Sequence, residues 1–223
     1  MKINEYKNVL VIDLETSGLS PIKDTIIEVG YILFENKDNF FEKIKGESFL
    51  INSTDYLDPR IETLTGISLS DIKESGITVD KAIIELDKIL LDKTLVVGYN
   101  LNFDYSFLYQ LYTKNNLEYK DLDCLDLMTV YKDHYPYPHK LESAANNLGL
   151  ERGLAHRALG DCETTYNLLV ALFENIDASS YINYFGYNPK YSIPYCYNKN
   201  VVLVAQRYML DVSKYIDSLK NDK

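Results

Sequence analysis

The run Val9-Leu10-Val11-Ile12 leads without a break into Asp13-Leu14-Glu15-Thr16. A short β-branched apolar run of this kind reads as a buried strand. Side chains alternate faces along a strand, so Asp13 and Glu15 share one face. Two carboxylates at the end of a buried strand repel each other and lose hydration. One of them must hold a proton, or the pair must hold a cation. Taken alone, the stretch is equally consistent with ordinary turn acids at a solvent-facing strand end.

The rest of the chain builds around this strand. Gly18 with Ser20-Pro21 marks a loop, and Ile26 to Phe34 and Phe40 to Ile51 read as two further strands joined by short polar gaps. Pro59 opens a short helix, and Thr78-Val79-Asp80 opens another with Ile83, Ile84, Leu86, Leu90 and Leu91 as its apolar positions. Leu95 to Val97 is a short buried strand. A helix from Asp104 follows, with Phe107, Leu108, Leu111 and Tyr112 on one face. Asp123 to Tyr131 combines a strand end with a helix start. Leu141 to Leu148 is a helix with Gly149 as a left-handed cap, and Asp161 to Phe173 is the last amphipathic helix of the domain. Three early strands followed by alternating helices and strands predict an α/β fold, a mixed sheet with helices on its faces.

Composition narrows the class. At 223 residues and 46% hydrophobic, the chain can bury one domain with room for an appendage. The expected division is residues 1–175 as the domain and 176–223 as a Tyr-rich appendage holding 8 of the 20 tyrosines. Asn200 to Ala205 is expected to add an edge strand and Val212 to Leu219 a helix. Gln206 to Leu210 loosely matches sliding-clamp-binding peptides. No run reaches the ~18 apolar residues of a membrane span, so no membrane association is expected. The first residues carry no signal-peptide pattern, and Cys124, Cys162 and Cys196 are scattered and odd in number. Both point to a reducing, cytoplasmic setting. The net charge is −10, and all of the excess lies before residue 174, where 28 acidic side chains face 17 basic ones. That balance runs against the basic footprint usual in nucleic-acid binders.

Two further acids stand where helices begin. Asp104, in Tyr99–Leu108, follows a strand and precedes an amphipathic helix, a frequent place for an N-cap Asp. Asp161 lies five residues after His156 in Ala155–Thr165. In one unbroken helix these two would diverge by about 140°. They converge if His156 lies on the loop entering the helix, with Gly160 permitting close backbone approach. His134 and His139 lack such a companion and read as surface loop residues beside Pro136 and Pro138.

Asp-x-Glu on a first strand, an Asp on a helix start roughly 90 residues later, and His-x4-Asp opening a late helix form a specific combination. In these motifs the chain resembles the DnaQ-like exonucleases, the DEDDh group of 3′→5′ exonucleases, proofreading-subunit-like, with a ribonuclease-H-like fold. The resemblance rests on DLETSGL at Asp13–Leu19, IIEVGYI at Ile26–Ile32, LTGIS at Leu64–Ser68, YNLNFDYSFL at Tyr99–Leu108 and AHRALGDCETT at Ala155–Thr165. Ser17 replaces the family's usual second Thr, and Tyr99 stands where the family often has His. The similar region covers about residues 7–173.

The resemblance implies a five-stranded mixed sheet and a metal site made by Asp13, Glu15, Asp104 and Asp161, with His156 as general base. It implies two divalent cations, Mg²⁺ or Mn²⁺, with Asp13 bridging, Glu15 and Asp161 completing one shell and Asp104 holding the other. Hard oxygen ligands suit those ions. Leu14, Thr16, Ser17, Leu19, Thr65, Asn100 and Phe103 are the expected substrate contacts, with backbone N–H groups near Thr16 and Ser17 included. Phe107 is expected to pack in the core. The implied partner is nucleic acid with a free 3′ end, single-stranded DNA first, and a DNA polymerase assembly is the implied protein partner. RNA trimming is the alternative activity, and an accessory binding module of a polymerase is the non-enzyme alternative. The acidic balance then fits an enzyme that grips one 3′ end through cations, which invert the local charge.

Overall fold

A computed structural model describes residues 3–38 and 40–221, so residues 1, 2 and 39 of the expected domain and 222 and 223 of the expected appendage lie outside the described residues. The five strands β1 (Asn8–Thr16), β2 (Ile26–Lys37), β3 (Phe40–Leu50), β4 (Thr94–Gly98) and β5 (Asp123–Asp126) form one sheet. Its order is β3-β2-β1-β4-β5, which puts β1 at the centre. β1–β2 and β2–β3 pair antiparallel, while β1–β4 and β4–β5 pair parallel. The sheet is therefore mixed, as its strand order in sequence requires: hairpins first, crossovers through helices later.

Alternation along β1 divides the interior into two cores. Leu10, Ile12 and Leu14 pack with Ile83 and Leu86 of α3 (Val79–Asp87) and with Leu101, Tyr105 and Leu108 of α4 (Leu101–Lys114). Val9 and Val11 face the other way. They pack with Val130 of α5 (Leu127–His134), Ala144 of α6 (Leu141–Asn147) and Cys162, Leu168 and Leu172 of α7 (Ala158–Asn175). Both faces are covered, so the central strand is apolar throughout up to its end.

Several boundaries differ from the sequence reading for local reasons. α3 stops at Asp87, so Leu90 is buried by the following turn and Leu91 is left exposed. α4 begins three residues before Asp104, because Asn100 takes a left-handed conformation and hands its N–H, with that of Leu101, to the carboxylate of Asp126 at 2.8 and 3.2 Å. α7 likewise begins at Ala158, which places Asp161 inside the first turn rather than at its opening. Between α1 (Pro59–Thr65) and α3, the sequence reading missed α2 (Leu69–Ser75), which Ser68 and Asp71 close with a reciprocal capping box.

The segment after Asn175 shares the domain's cores. Tyr181, Ile182, Val204, Val212 and Ile216 are buried in the cluster that holds Val9 and Val11, and Phe185 joins the other. The expected edge strand is instead β7 (Val202–Ala205), which pairs in parallel with β6 (Tyr184–Tyr187) in a separate two-stranded sheet. α8 (Asp211–Asn221) closes the chain. Its start is held by Asp133 of α5, whose buried carboxylate accepts from the N–H groups of Val212 at 3.0 Å and Ser213 at 2.9 Å and from the Tyr181 hydroxyl at 2.7 Å. Gln206 is buried and donates to the Thr129 carbonyl at 3.0 Å, while Arg207, Tyr208, Met209 and Leu210, the rest of the segment that loosely matches a clamp peptide, are exposed. His134 is not a surface loop residue. It ends α5, half-buried, with Nε2 2.9 Å from the Tyr181 hydroxyl. His139 does lie in a loop, where Nε2 is 3.0 Å from the Tyr135 carbonyl. No helix among the described residues is long and apolar enough to cross a membrane.

Candidate metal and catalytic site

The alternation that places Val9 and Val11 against α7 continues to Asp13 and Glu15, so both carboxylates point toward the first turn of that helix. There Asp161 meets them. One carboxylate oxygen from each of Asp13, Glu15 and Asp161 lies within 4.8 Å of the others. The antiparallel register shifts between Glu15 and Thr16, a bulge-like irregularity of the kind that re-aims side chains at the end of a strand.

Asp104 reaches the same strand end from the opposite layer. It is buried, and its Oδ1 accepts from the Leu14 N–H at 3.1 Å. Asp126 fixes the start of α4, and hence Asp104, while also capping α5 through Thr129.

The charges oppose one another. Burial, then the neighbouring carboxylates of Asp104, Asp161 and Glu15, drive the Asp13 pKa well above the ordinary value. Burial and the Asp161 carboxylate push Glu15 up to about 7. Burial raises Asp104 against the hydrogen bond from Leu14, and burial also raises Asp161. None of the four forms an ion pair among the described residues. A cluster of hard oxygen donors that no ion pair neutralises fits a hard divalent cation.

His156 lies on the loop entering α7, exposed, with φ 57°. Its backbone N–H donates to Asp161 Oδ2 at 3.2 Å, which ties the His loop to the carboxylate cluster. Two glycines allow this closeness. A Cβ on Gly160 would overlap the Leu154 backbone, and one on Gly30 would overlap the Ala158 backbone, so the loop and the first turn of α7 sit directly on each other and on β2. The sequence reading missed the residue that locks this arrangement. Glu28 of β2, 1% exposed, accepts from the Ala158 N–H and from the guanidinium of Arg157. A lone acid inside the apolar run Ile26–Phe34 was the available signal.

The expected substrate contacts separate into two groups. Leu19 is 84% exposed, Asn100 is exposed, and Phe103 is half-buried against Phe107 at 4.9 Å between rings. Phe107 itself is core. The others are already engaged. The Leu14 side chain is in the core, and the Thr16 hydroxyl donates to the Gly18 carbonyl at 2.6 Å. The Ser17 N–H, expected to face a nucleotide, donates to the Thr25 carbonyl at 2.9 Å, and its hydroxyl accepts from the Thr25 N–H. Thr65 is buried, its hydroxyl donating to Ile61 and accepting from the Ile67 N–H. Tyr99 donates its hydroxyl to the His139 carbonyl at 2.7 Å, a structural tie for the Pro-rich loop.

Known proteins show the same architecture. E. coli Exonuclease I, solved in complex with a dT13 oligonucleotide, superposes with a TM-score of 0.65 at 23% identity, over 76% of this chain and 41% of that one. Its zinc-bound form with single-stranded DNA gives a TM-score of 0.67 at 20% identity, over 79% of this chain and 42% of that one. At these identities the likeness is one of fold. In sequence, the PolC-type DNA polymerase III of Pediococcus pentosaceus is 26% identical over 179 residues, which are 78% of this chain and 12% of the relative. The 3′-5′ exonuclease DinG of Staphylococcus haemolyticus is 29% identical over 191 residues, 82% of this chain and 20% of the relative. The chain thus spans a fifth or less of the length of these two curated relatives. The Exonuclease family profile matches residues 10–169, from near the start of β1 through most of α7, and the chain belongs to the Exonuclease family.

Proposed function

We propose that the chain is a divalent-metal-dependent 3′→5′ exonuclease that hydrolyses single-stranded DNA from its 3′ end and releases nucleoside 5′-monophosphates. The observation that carries this reading is the convergence of Asp13, Glu15 and Asp161, with no ion pair among the described residues, at the end of the central strand. Asp13 would bridge two cations, Glu15 and Asp161 would complete one shell, and Asp104 would hold the other. Bound there, Mg²⁺ or Mn²⁺ would supply the positive charge that favours an attacking hydroxide and an oxyanion leaving group. His156, on its exposed loop, accepts the proton of the attacking water. Leu19, Asn100 and Phe103, the open members of the expected contact set, hold the terminal nucleotide.

Single-stranded DNA is favoured over RNA because the fold neighbours were solved with dT13 and dA16. A polymerase assembly is the partner class supported by the PolC-type relatives, in which the similar stretch is a small part of a longer chain. The test is mononucleotide release from single-stranded DNA labelled at either end, with Mg²⁺ or Mn²⁺, beside the same sequence in RNA and a 3′-blocked strand. Release should come from a free 3′ end and vanish in Asp161→Ala. Intact DNA and RNA in the presence of metal would remove the proposal.

A further inference from the structure

Residues 178–210 carry Lys190, Lys199 and Arg207 and no carboxylate side chain, in a chain whose net charge is −10. Residues 188–200 of this stretch cross the outside of α4 as a strap tied down at several points. The buried Asn198 donates to the Leu122 carbonyl at 2.8 Å. The Tyr197 ring stacks on Tyr109 of α4 at 4.3 Å, and its hydroxyl accepts from Gln110 at 3.1 Å. Asn102, two residues before Asp104, donates to the Tyr195 carbonyl at 3.1 Å.

These ties use the backbone of Tyr195 and leave its ring outside. Tyr195 is 72% exposed and Tyr191 is 68% exposed, although large aromatic side chains are usually covered. The Tyr195 ring is backed at 4.4 Å by Tyr197, so it is held in place from one side only. Lys190 lies over the Tyr191 ring and forms no ion pair among the described residues. Lys199, by contrast, is paired with Asp121 at the far end of the strap. Open aromatic faces beside an unpaired lysine, on a stretch that itself carries no carboxylate, match a single nucleic-acid strand: bases stack on the rings and phosphates meet Lys190. The strap meets α4 one residue from Phe103, so it continues the surface on which the terminal nucleotide would sit. It also lies outside the stretch that matches the family profile, which ends at residue 169.

We propose that this strap is a second binding surface for single-stranded DNA, where bases upstream of the 3′-terminal nucleotide stack on Tyr195 and then Tyr191. The proposal rests on the exonuclease reading for its substrate. It makes the appendage the part that senses strand length, while the carboxylate cluster handles only the last phosphodiester.

The test compares a long and a minimal substrate. KM for dT12 should rise about 5- to 100-fold in Tyr195→Ala and stay near wild type in Tyr195→Phe. Hydrolysis of thymidine 5′-p-nitrophenyl phosphate should be unchanged in both. Tyr191→Ala should give a smaller rise on dT12. Fluorescence anisotropy of 5′-labelled dT12 measures the same surface without turnover. If the wild type cleaves nothing but Tyr195→Ala still weakens dT12 binding, the exonuclease reading fails and the surface stands. Wild-type KM and dT12 affinity in both alanine variants, or no dT12 binding by the wild type, would overturn the proposal.

Discussion

Arg157 grips Glu28 with both arms of its fork, Nη2 to Oε1 at 2.8 Å and Nε to Oε2 at 3.2 Å, while the Ala158 N–H adds a third bond to the same carboxylate at 3.1 Å. Glu28 is the direct cross-strand partner of Glu15. Like charges opposite each other in a sheet destabilise it, and Arg157 offsets that repulsion next to the carboxylate cluster. The same contact pins the entrance of α7, with His156 just before it and Asp161 just inside it.

Arg157→Ala should therefore cost about 2–3 kcal/mol, less than for a fully buried pair because the arginine is partly exposed, and should loosen both His156 and Asp161. Arg157→Lys keeps the charge but loses the fork and should fall between. Urea unfolding gives the stability, and kcat on DNA reports the loop. Unchanged values for both in Arg157→Ala would show that the clamp has no role.

The metal-free protein should lose stability as pH rises. The folded-state pKa of Glu15, about 7, lies above its ordinary value of 4.5, so between those values the folded state keeps a proton that the unfolded chain has released. Stability then falls as pH climbs through this window. In EDTA, thermal unfolding should come at a lower temperature at pH 7.5 than at pH 5.5. Glu15→Gln should raise the midpoint at pH 7.5 by about 2 °C or more, while weakening the stabilisation given by Mn²⁺. A flat pH profile in EDTA would contradict this.

His156→Asn is the informative substitution at the proposed base, because Asn tolerates the left-handed backbone that this position adopts. It should lower kcat by about 10²–10⁴-fold with little change in stability or in Mn²⁺ affinity. Comparable kcat in the variant would exclude His156 from proton transfer.

Asp133 predicts the acid response of the C-terminal helix. Hydrogen bonds from Tyr181, Val212 and Ser213 outweigh the cost of burial and hold its pKa below the usual 3.8. The stability it adds is fully present above that value and is lost as pH falls through the lower folded-state pKa. Hydrogen exchange in α8 should thus accelerate in strong acid before the sheet opens. Asp133→Ala should cost about 3 kcal/mol at neutral pH by leaving several buried donors unpaired. Equal protection of α8 in the variant would refute this.

The parts of the site legible in the sequence are those written into short local patterns. Alternation along β1 shows that Asp13 and Glu15 share a face, and the loop-then-helix pattern around Gly160 lets His156 and Asp161 approach each other. The Exonuclease family was legible from these two patterns together with the motif around Asp104. Glu28 was not recognised, because its meaning depends on a cross-strand register and on an arginine 129 residues away. Asp126 was missed for the same reason, since it serves two helices from the end of an edge strand. The Ser17 N–H and the apolar face of Thr65 read as open to a nucleotide, but the Thr25 carbonyl had claimed the one and burial the other. The parallel pairing of β6 with β7 joins segments with no hairpin signal between them, so the sequence showed a strand at Asn200 to Ala205 but not its partner β6.

The two-sided alternation of β1 makes folding and chemistry inseparable. A single residue inserted between Val11 and Ile12 would turn Asp13 and Glu15 toward the core that Ile12 and Leu14 now fill, and would send those apolar side chains into the acidic cleft. A chain that pairs this strand out of step loses both hydrophobic cores and the carboxylate cluster together. The central strand thus leaves no room for a well-packed but inactive misfold: any molecule that completes its interior has, by that act, assembled its acids.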